Sequence, residues 1–186
     1  MSKVNLQRLG ETVFQSSDRV SAELLALTYG STVKQLLVDY EEPDEVNKQL
    51  DQMGYNIGIR LIEDVIANSK IYTISSFVDS AEIVAKVAFK MYLGVVANTV
   101  DWNSDKTEFS LQFDDNPLTE FTELPDRYSD LWYANILCGI IRGAYEMVQM
   151  KVECKYTKCV LRGDDTNEIR IVLREMLLER PPLDDE

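Results

Sequence analysis

Along the chain, apolar residues recur first at helical spacing and later in alternation. Over 21–40, Leu24, Leu27, Val33, Leu36 and Leu37 return about once per turn, which predicts a helix interrupted by Gly30. Pro43 suits a first helical turn, and Val46, Leu50, Met53, Ile57, Leu61 and Val65 then form an i, i+4, i+7 stripe to about residue 67. Residues 68–77 read as a loop or short extended piece. Ser80 is the expected cap of a third helix, whose stripe runs from Ile83 through Val84, Val87, Ala88, Met91 and Tyr92. The period then falls to two. "EFSLQF" (108–113) alternates, "DDNP" (114–117) is a turn, and "FTEL" (121–124) reads as a second short strand. A fourth helix is expected over 131–150. "VECKY" (152–156) and "EIRIVL" (168–173) alternate on either side of a "RGDDTN" turn. Helices first, then two strands, a helix and two strands predict an α+β fold, an antiparallel sheet with helices on one face. No internal repeat divides the chain, so 1–186 is read as one domain.

Two pairs of glycines resist the helical pattern. Gly54 and Gly58 lie one turn apart inside the second helix, and Gly139 and Gly143 repeat that spacing in the fourth. Each interior glycine costs about 1 kcal/mol relative to alanine. Small residues one turn apart offset that cost by letting another backbone approach closely. The approaching backbone belongs to the same chain or to a second subunit, or the space serves an apolar ligand. The spacing alone leaves these three open. Arg60, Glu63, Asp64 and Arg142 within or beside the pairs exclude a membrane setting.

Composition narrows the function. The chain has 186 residues, enough for one sizeable core, and a net charge of −13 with no histidine. Without a basic patch, a nucleic-acid partner is not expected. Without histidine, the commonest general base and zinc ligand are missing. Cys138, Cys154 and Cys159 are scattered, form no C-x-x-C and suggest a reducing compartment. No signal peptide is expected in "MSKVNLQRLG", and no apolar run reaches the ~20 residues of a membrane span. A cytosolic chain is the expectation. Glu63 and Asp64 point about 100° apart on a helix and read as a solvated face. Asp114–Asp115 and Asp164–Asp165 suit turns and lack the calcium-loop pattern, so no metal site is assigned. No nucleophile elbow, phosphate-binding loop or dinucleotide fingerprint occurs. Cys138 sits among Ile136, Leu137, Ile140 and Ile141 and reads as a small buried hydrophobe. The residues favour a binding or scaffolding role over catalysis.

Longer stretches carry more information. "ALTYGSTVKQLLVDYE", "VNKQLDQMGYNIGIRLIED", "AKVAFKMYLG", "EFSLQFDDNPLTEFTELP", "LWYANILCGIIRGAYEMVQM" and "RGDDTNEIR" occur in this order. Together, over residues 21–170, they closely resemble the Bet-three type of small subunit of the transport protein particle (TRAPP) complexes. Residues 1–20 and the last dozen match more loosely. The resemblance implies a helical layer on a four-stranded antiparallel sheet, with a narrow apolar channel between helices. It implies a non-catalytic subunit that forms homodimers and pairs with related small subunits. The assembled particle tethers vesicles between endoplasmic reticulum and Golgi and promotes nucleotide exchange on a Rab-type GTPase. The protein would then be cytoplasmic and peripheral at those membranes. Ile57, Leu61, Val84 and Ala88 would line the channel. The resemblance also implies uses for Gly54, Gly58, Gly139 and Gly143, in close helix packing around the channel or at a dimer face.

The resemblance breaks at one position. In the family a cysteine after the second helix carries a thioester-linked acyl chain, and Ile74 occupies that place here, preceded by Thr73. Ile has no nucleophilic atom, so the expectation is no covalent cofactor. Ile74 would plug the mouth, or the channel would hold a free fatty acid without a bond. The end of the chain, Asp184, Asp185 and Glu186 after Pro181 and Pro182, is either a solubilising tail or, as the resemblance implies, a GTPase-contacting one. An alternative function follows from the channel itself: a carrier or sensor of fatty-acyl chains.

Overall fold

The computed structural model describes residues 3–177 and, within them, side chains from residue 5 onward. The chain begins with helix α1 (Lys3–Ser16), which the sequence pattern had not singled out. Helix α2 (Ala22–Tyr40) starts at Ser21, whose hydroxyl accepts from the Leu24 backbone N–H. Helix α3 (Pro43–Ser69) opens with proline in its first turn and ends at Lys70 in the left-handed conformation. Helix α4 (Phe77–Ile83) leads into a π-helical segment, Val84–Ala88, and then helix α5 (Phe89–Leu93), closed by Gly94 at φ 72°. The cap of α4 is Ser76 rather than Ser80: the Asp79 N–H donates to Ser76 Oγ at 3.1 Å, while Ser80 is buried and donates to the Phe77 carbonyl at 2.7 Å.

The sheet has four strands in the order β1 (Asn98–Val100), β2 (Glu108–Phe113), β4 (Asn167–Met176), β3 (Met150–Lys158), each antiparallel to its neighbour. Its inner face presents Phe109, Leu111, Ile169, Ile171 and Tyr156, all buried. Its outer face carries cross-strand ion pairs, among them Arg170–Glu108 at 2.6 Å and Lys158–Glu168 at 2.7 Å. The fourth strand is not the expected 121–124. That segment forms turns, with Thr122 N–H donating to the Thr119 carbonyl at 3.0 Å and Phe121 55% exposed. Pro117 and Pro125 flank it, and neither supplies a ladder N–H. The edge is taken instead by β1, three residues too short to show a period.

Helix α6 (Ile136–Met147) is shorter at both ends than the expected 131–150. Residues 131–135 form turns held by Asn47 of α3: its side chain accepts from the Trp132 N–H at 2.8 Å and donates to the Asp130 carbonyl at 3.0 Å. At the other end Gln149 adopts φ 67°, which turns the chain into β3.

Helices α3 and α6 pack backbone to backbone, and the four glycines are the reason. A Cβ built on Gly54 would lie 2.1 Å from the Ile136 carbonyl oxygen, and one on Gly58 2.1 Å from that of Ile140. From the other side, Gly139 would meet the Asp51 carbonyl oxygen at 2.0 Å and Gly143 that of Tyr55 at 2.3 Å. These contacts rise together along both helices, so the two run in the same direction. In each, the glycine hydrogen that replaces Cβ points at a carbonyl, the arrangement of a Cα–H···O contact worth about 0.5–1 kcal/mol. Of the three readings left open by the spacing, intramolecular packing is the one the contacts describe. Arg142 clamps the pair by bonding Asp51 and lying 4.6 Å over the Tyr55 ring.

Candidate functional site: an apolar cavity behind the glycine contacts

Where α3 and α6 stop touching through glycine, a cavity of about 110 Å³ opens. Leu61, Ile62 and Val65 line it from α3, and Ile140, Ala144 and Val148 from α6. Val84 and Ala88 face it from the π-helical segment, Tyr92 from α5, and Ile74 from the loop after α3. A π turn widens the helix and re-aims side chains, a device often found at functional sites. Val84 and Ala88, four residues apart and so on one face of the segment, lie on the cavity wall. The other side of that segment is fixed by α1: a Cβ on Gly10 would lie 2.1 Å from the Lys86 carbonyl oxygen. Leu6 and Val13 of α1 complete a second small core with Val65, Ile71, Ile83 and Val87.

The cavity brings together four of the residues that the sequence singles out, Leu61, Val84, Ala88 and Ile74. Ile57 lies outside it, 39% exposed on α3. The glycines stand beside it, at the helix contact rather than in the lining. Asp184, Asp185 and Glu186 lie outside the described residues. Among the lining residues missed from sequence were Ile62, Val65, Val148, Tyr92 and the α6 residues Ile140 and Ala144. The signal for the last two was present, since both are one position from a helix-spaced glycine.

Chemically the lining can hold an apolar chain and little else. None of the three cysteines is part of it. Cys138 and Cys159 are buried and Cys154 half-buried, and desolvation pushes all three thiols above their ordinary pKa. Thiolates are the nucleophiles, so this burial favours the less reactive thiol form at all three. Of the three hydroxyl side chains in the lining, Ser80 donates to the Phe77 carbonyl, Tyr92 donates to Asp64, and Tyr145 is buried. Among the described residues no group of three or more Cys, Asp or Glu is placed to hold a metal, and no helix is long and apolar enough to cross a membrane.

The sequence profile of the transport protein particle (TRAPP) component family matches residues 25–172. This chain belongs to that family. Among its relatives, trafficking protein particle complex subunit 3 of Dictyostelium discoideum is 52% identical over 184 residues, 98% of each chain. Transport protein particle subunit bet3 of Schizosaccharomyces pombe is 48% identical over 180 residues, 96% of this chain and 98% of its own. Among solved structures, trafficking protein particle complex subunit 3 from Naegleria fowleri superposes with a TM-score of 0.83 at 52% identity, covering 85% of this chain and 98% of that one. The Naegleria protein was crystallised covalently bound to palmitic acid. The TRAPP family match spans both helices of the glycine contact and the whole cavity lining.

Proposed function

We propose that this chain is a scaffold subunit of a TRAPP vesicle-tethering complex in endoplasmic reticulum-to-Golgi transport. It contributes to nucleotide exchange on a Rab-type GTPase through the assembled particle and carries no catalysis of its own. The observation that carries the reading is the 52% identity to a TRAPP complex subunit across 98% of both chains. A second observation supports assembly. Helix α2 leaves Leu24, Leu27 and Val38 more than 60% exposed at helical spacing, with Val20 just before it at 79%. Such a stripe suits a homodimer or a related small subunit, at the periphery of the cytoplasmic membrane face where TRAPP acts. Affinity capture from native cytosol tests the reading. Stable recovery of other small TRAPP subunits is expected, and a chain recovered alone would contradict it. In the same reading Asp184, Asp185 and Glu186 reach the GTPase. Deleting 181–186 then leaves assembly intact and slows exchange by the reconstituted particle.

The cavity supports a second reading, a site for an alkyl chain held without a bond. The palmitate of the Naegleria relative and the apolar lining favour it. Ile74 stands at the acyl-cysteine position, so retention rests on apolar burial, about 0.8 kcal/mol per CH₂. Exchange of a fluorescent fatty acid into the isolated protein is expected, and failure to exchange removes this reading while leaving the scaffold role untouched.

A further inference from the structure

The apolar cavity shares one wall with a second, polar pocket. The Tyr92 ring lines the cavity on one side. On the other, with Asp64 and Asn68 of α3, Met91 of α5, Ser16 at the end of α1, and Ser17 and Asp18 just after it, it lines a pocket at the surface. The ring is held by its hydroxyl, which donates to Asp64 Oδ2 at 2.7 Å, with the Leu61 carbonyl oxygen a second acceptor at 3.3 Å. Burial and the Asp64 carboxylate push the Tyr92 phenol well above its ordinary pKa, so it stays a donor.

The pocket offers acceptors. Ser16 and Ser17 spend their protons on the Val13 carbonyl, at 3.0 and 2.8 Å, which leaves their oxygens as acceptors. The Asn68 side-chain amide donates to Asp64 at 2.9 Å. The lining carries two carboxylates, Asp18 and Asp64, and no basic side chain. A carboxylate or phosphate head would meet like charge there, whereas an ammonium donates three hydrogen bonds and accepts none.

We propose that Tyr92 is a movable wall, and that cavity and pocket form one site for a single-chain amphiphile with a protonated primary amine head. The alkyl tail fills the cavity and the ammonium sits at Asp18 and Asp64. When the ring turns, the ammonium replaces the phenol as donor to Asp64, so opening leaves that acceptor partnered. Turning the ring also adds its volume to the cavity. That matters because an apolar cavity of about 150 Å³ holds one benzene, and the closed space is about 110 Å³. The proposal rests on the reading that the cavity takes an alkyl chain.

Calorimetric titration of the full chain at physiological salt tests it, with dodecylamine, laurate and dodecanol below their aggregation concentrations. Dodecylamine is expected to bind once per chain and roughly tenfold more tightly than laurate. Asp18→Asn combined with Asp64→Asn should weaken dodecylamine about tenfold and leave dodecanol within about twofold. Ala88→Leu, which fills the cavity, should abolish binding of all three. Laurate binding as tightly as the amine, or an amine affinity indifferent to the double substitution, overturns the head-group assignment alone. Amine uptake that survives Ala88→Leu is adsorption to the acidic surface and also overturns it. If none of the three probes binds, the cavity reading fails together with the proposal.

Discussion

Helices α3 and α6 meet in two ways within a few turns. In the first, Gly54, Gly58, Gly139 and Gly143 bring carbonyl oxygens to within 2.0–2.3 Å of where a Cβ would stand, and no space is left. In the second, Leu61, Val65, Ile140 and Ala144 face a cavity of about 110 Å³. The difference lies in what each helix presents. Glycine lets backbones touch, which fixes the helix pair as a rigid unit. Branched side chains beyond the contact, with the π-helical segment Val84–Ala88 braced by α1, keep a gap that the pair cannot close. The glycine contact sets the geometry, and the cavity is its consequence.

The sharpest way to break this comparison is to add one methyl group on the closed side. Gly54→Ala, Gly58→Ala, Gly139→Ala and Gly143→Ala each push Cβ into backbone, and backbone has no rotamer to yield with. Each should destabilise the chain by about 3 kcal/mol, at the upper end for overpacking, read from chemical unfolding. Gly30→Ala in α2 is the internal control. Its Cβ meets only the Tyr133 hydroxyl, at 3.1 Å, and the helix-propensity gain of about 1 kcal/mol should make it neutral to stabilising. If all five behave alike, the contacts are not what makes those four positions glycine.

A group remote from both halves sharpens the comparison with pH. Glu168 on the outer sheet face is buried, which alone would raise its pKa. Hydrogen bonds from Lys158, Ser110 and Thr157 outweigh that and hold the carboxyl below its ordinary value. A depressed folded pKa means the stabilisation is complete above the unfolded value of about 4.3 and is lost as pH falls through the folded value. Glu168→Gln should therefore cost about 1–3 kcal/mol at pH 7 and progressively less below pH of about 4. The penalties at the glycines should not change over that range.

On the open side the sign reverses. Ala88→Leu places methylenes into empty apolar space, and stability should rise by about 1 kcal/mol in thermal unfolding. Loss of stability would mean that the space is closed in solution.

How much of this the sequence disclosed follows the same physics. The glycine pairs were legible because their spacing has one steric meaning, close approach. What they approach was not, because three kinds of partner satisfy it. The cavity was expected only from the resemblance, which implied a channel lined by Leu61, Val84 and Ala88; their stripes mark buried faces and do not by themselves disclose a space. Ile57 belongs to the same stripe yet lies outside the lining, since periodicity identifies a face and not what the face meets. Tyr92 reads as core for the same reason. The sheet was legible where strands alternate for five or six residues. It failed at β1, three residues long, and at 121–124, where alternation occurs between prolines that prevent a ladder.

The central claim is that the cavity serves an apolar chain held without a covalent bond, beside a helix contact that scaffolds a TRAPP subunit. Intact-protein mass spectrometry of the purified chain tests it most directly, run once denatured and once under native conditions. The expected result is the unmodified mass when denatured, and an alkyl-chain adduct in the native spectrum that denaturation removes. A hydroxylamine-sensitive increment of fatty-acyl size on the denatured chain would contradict it.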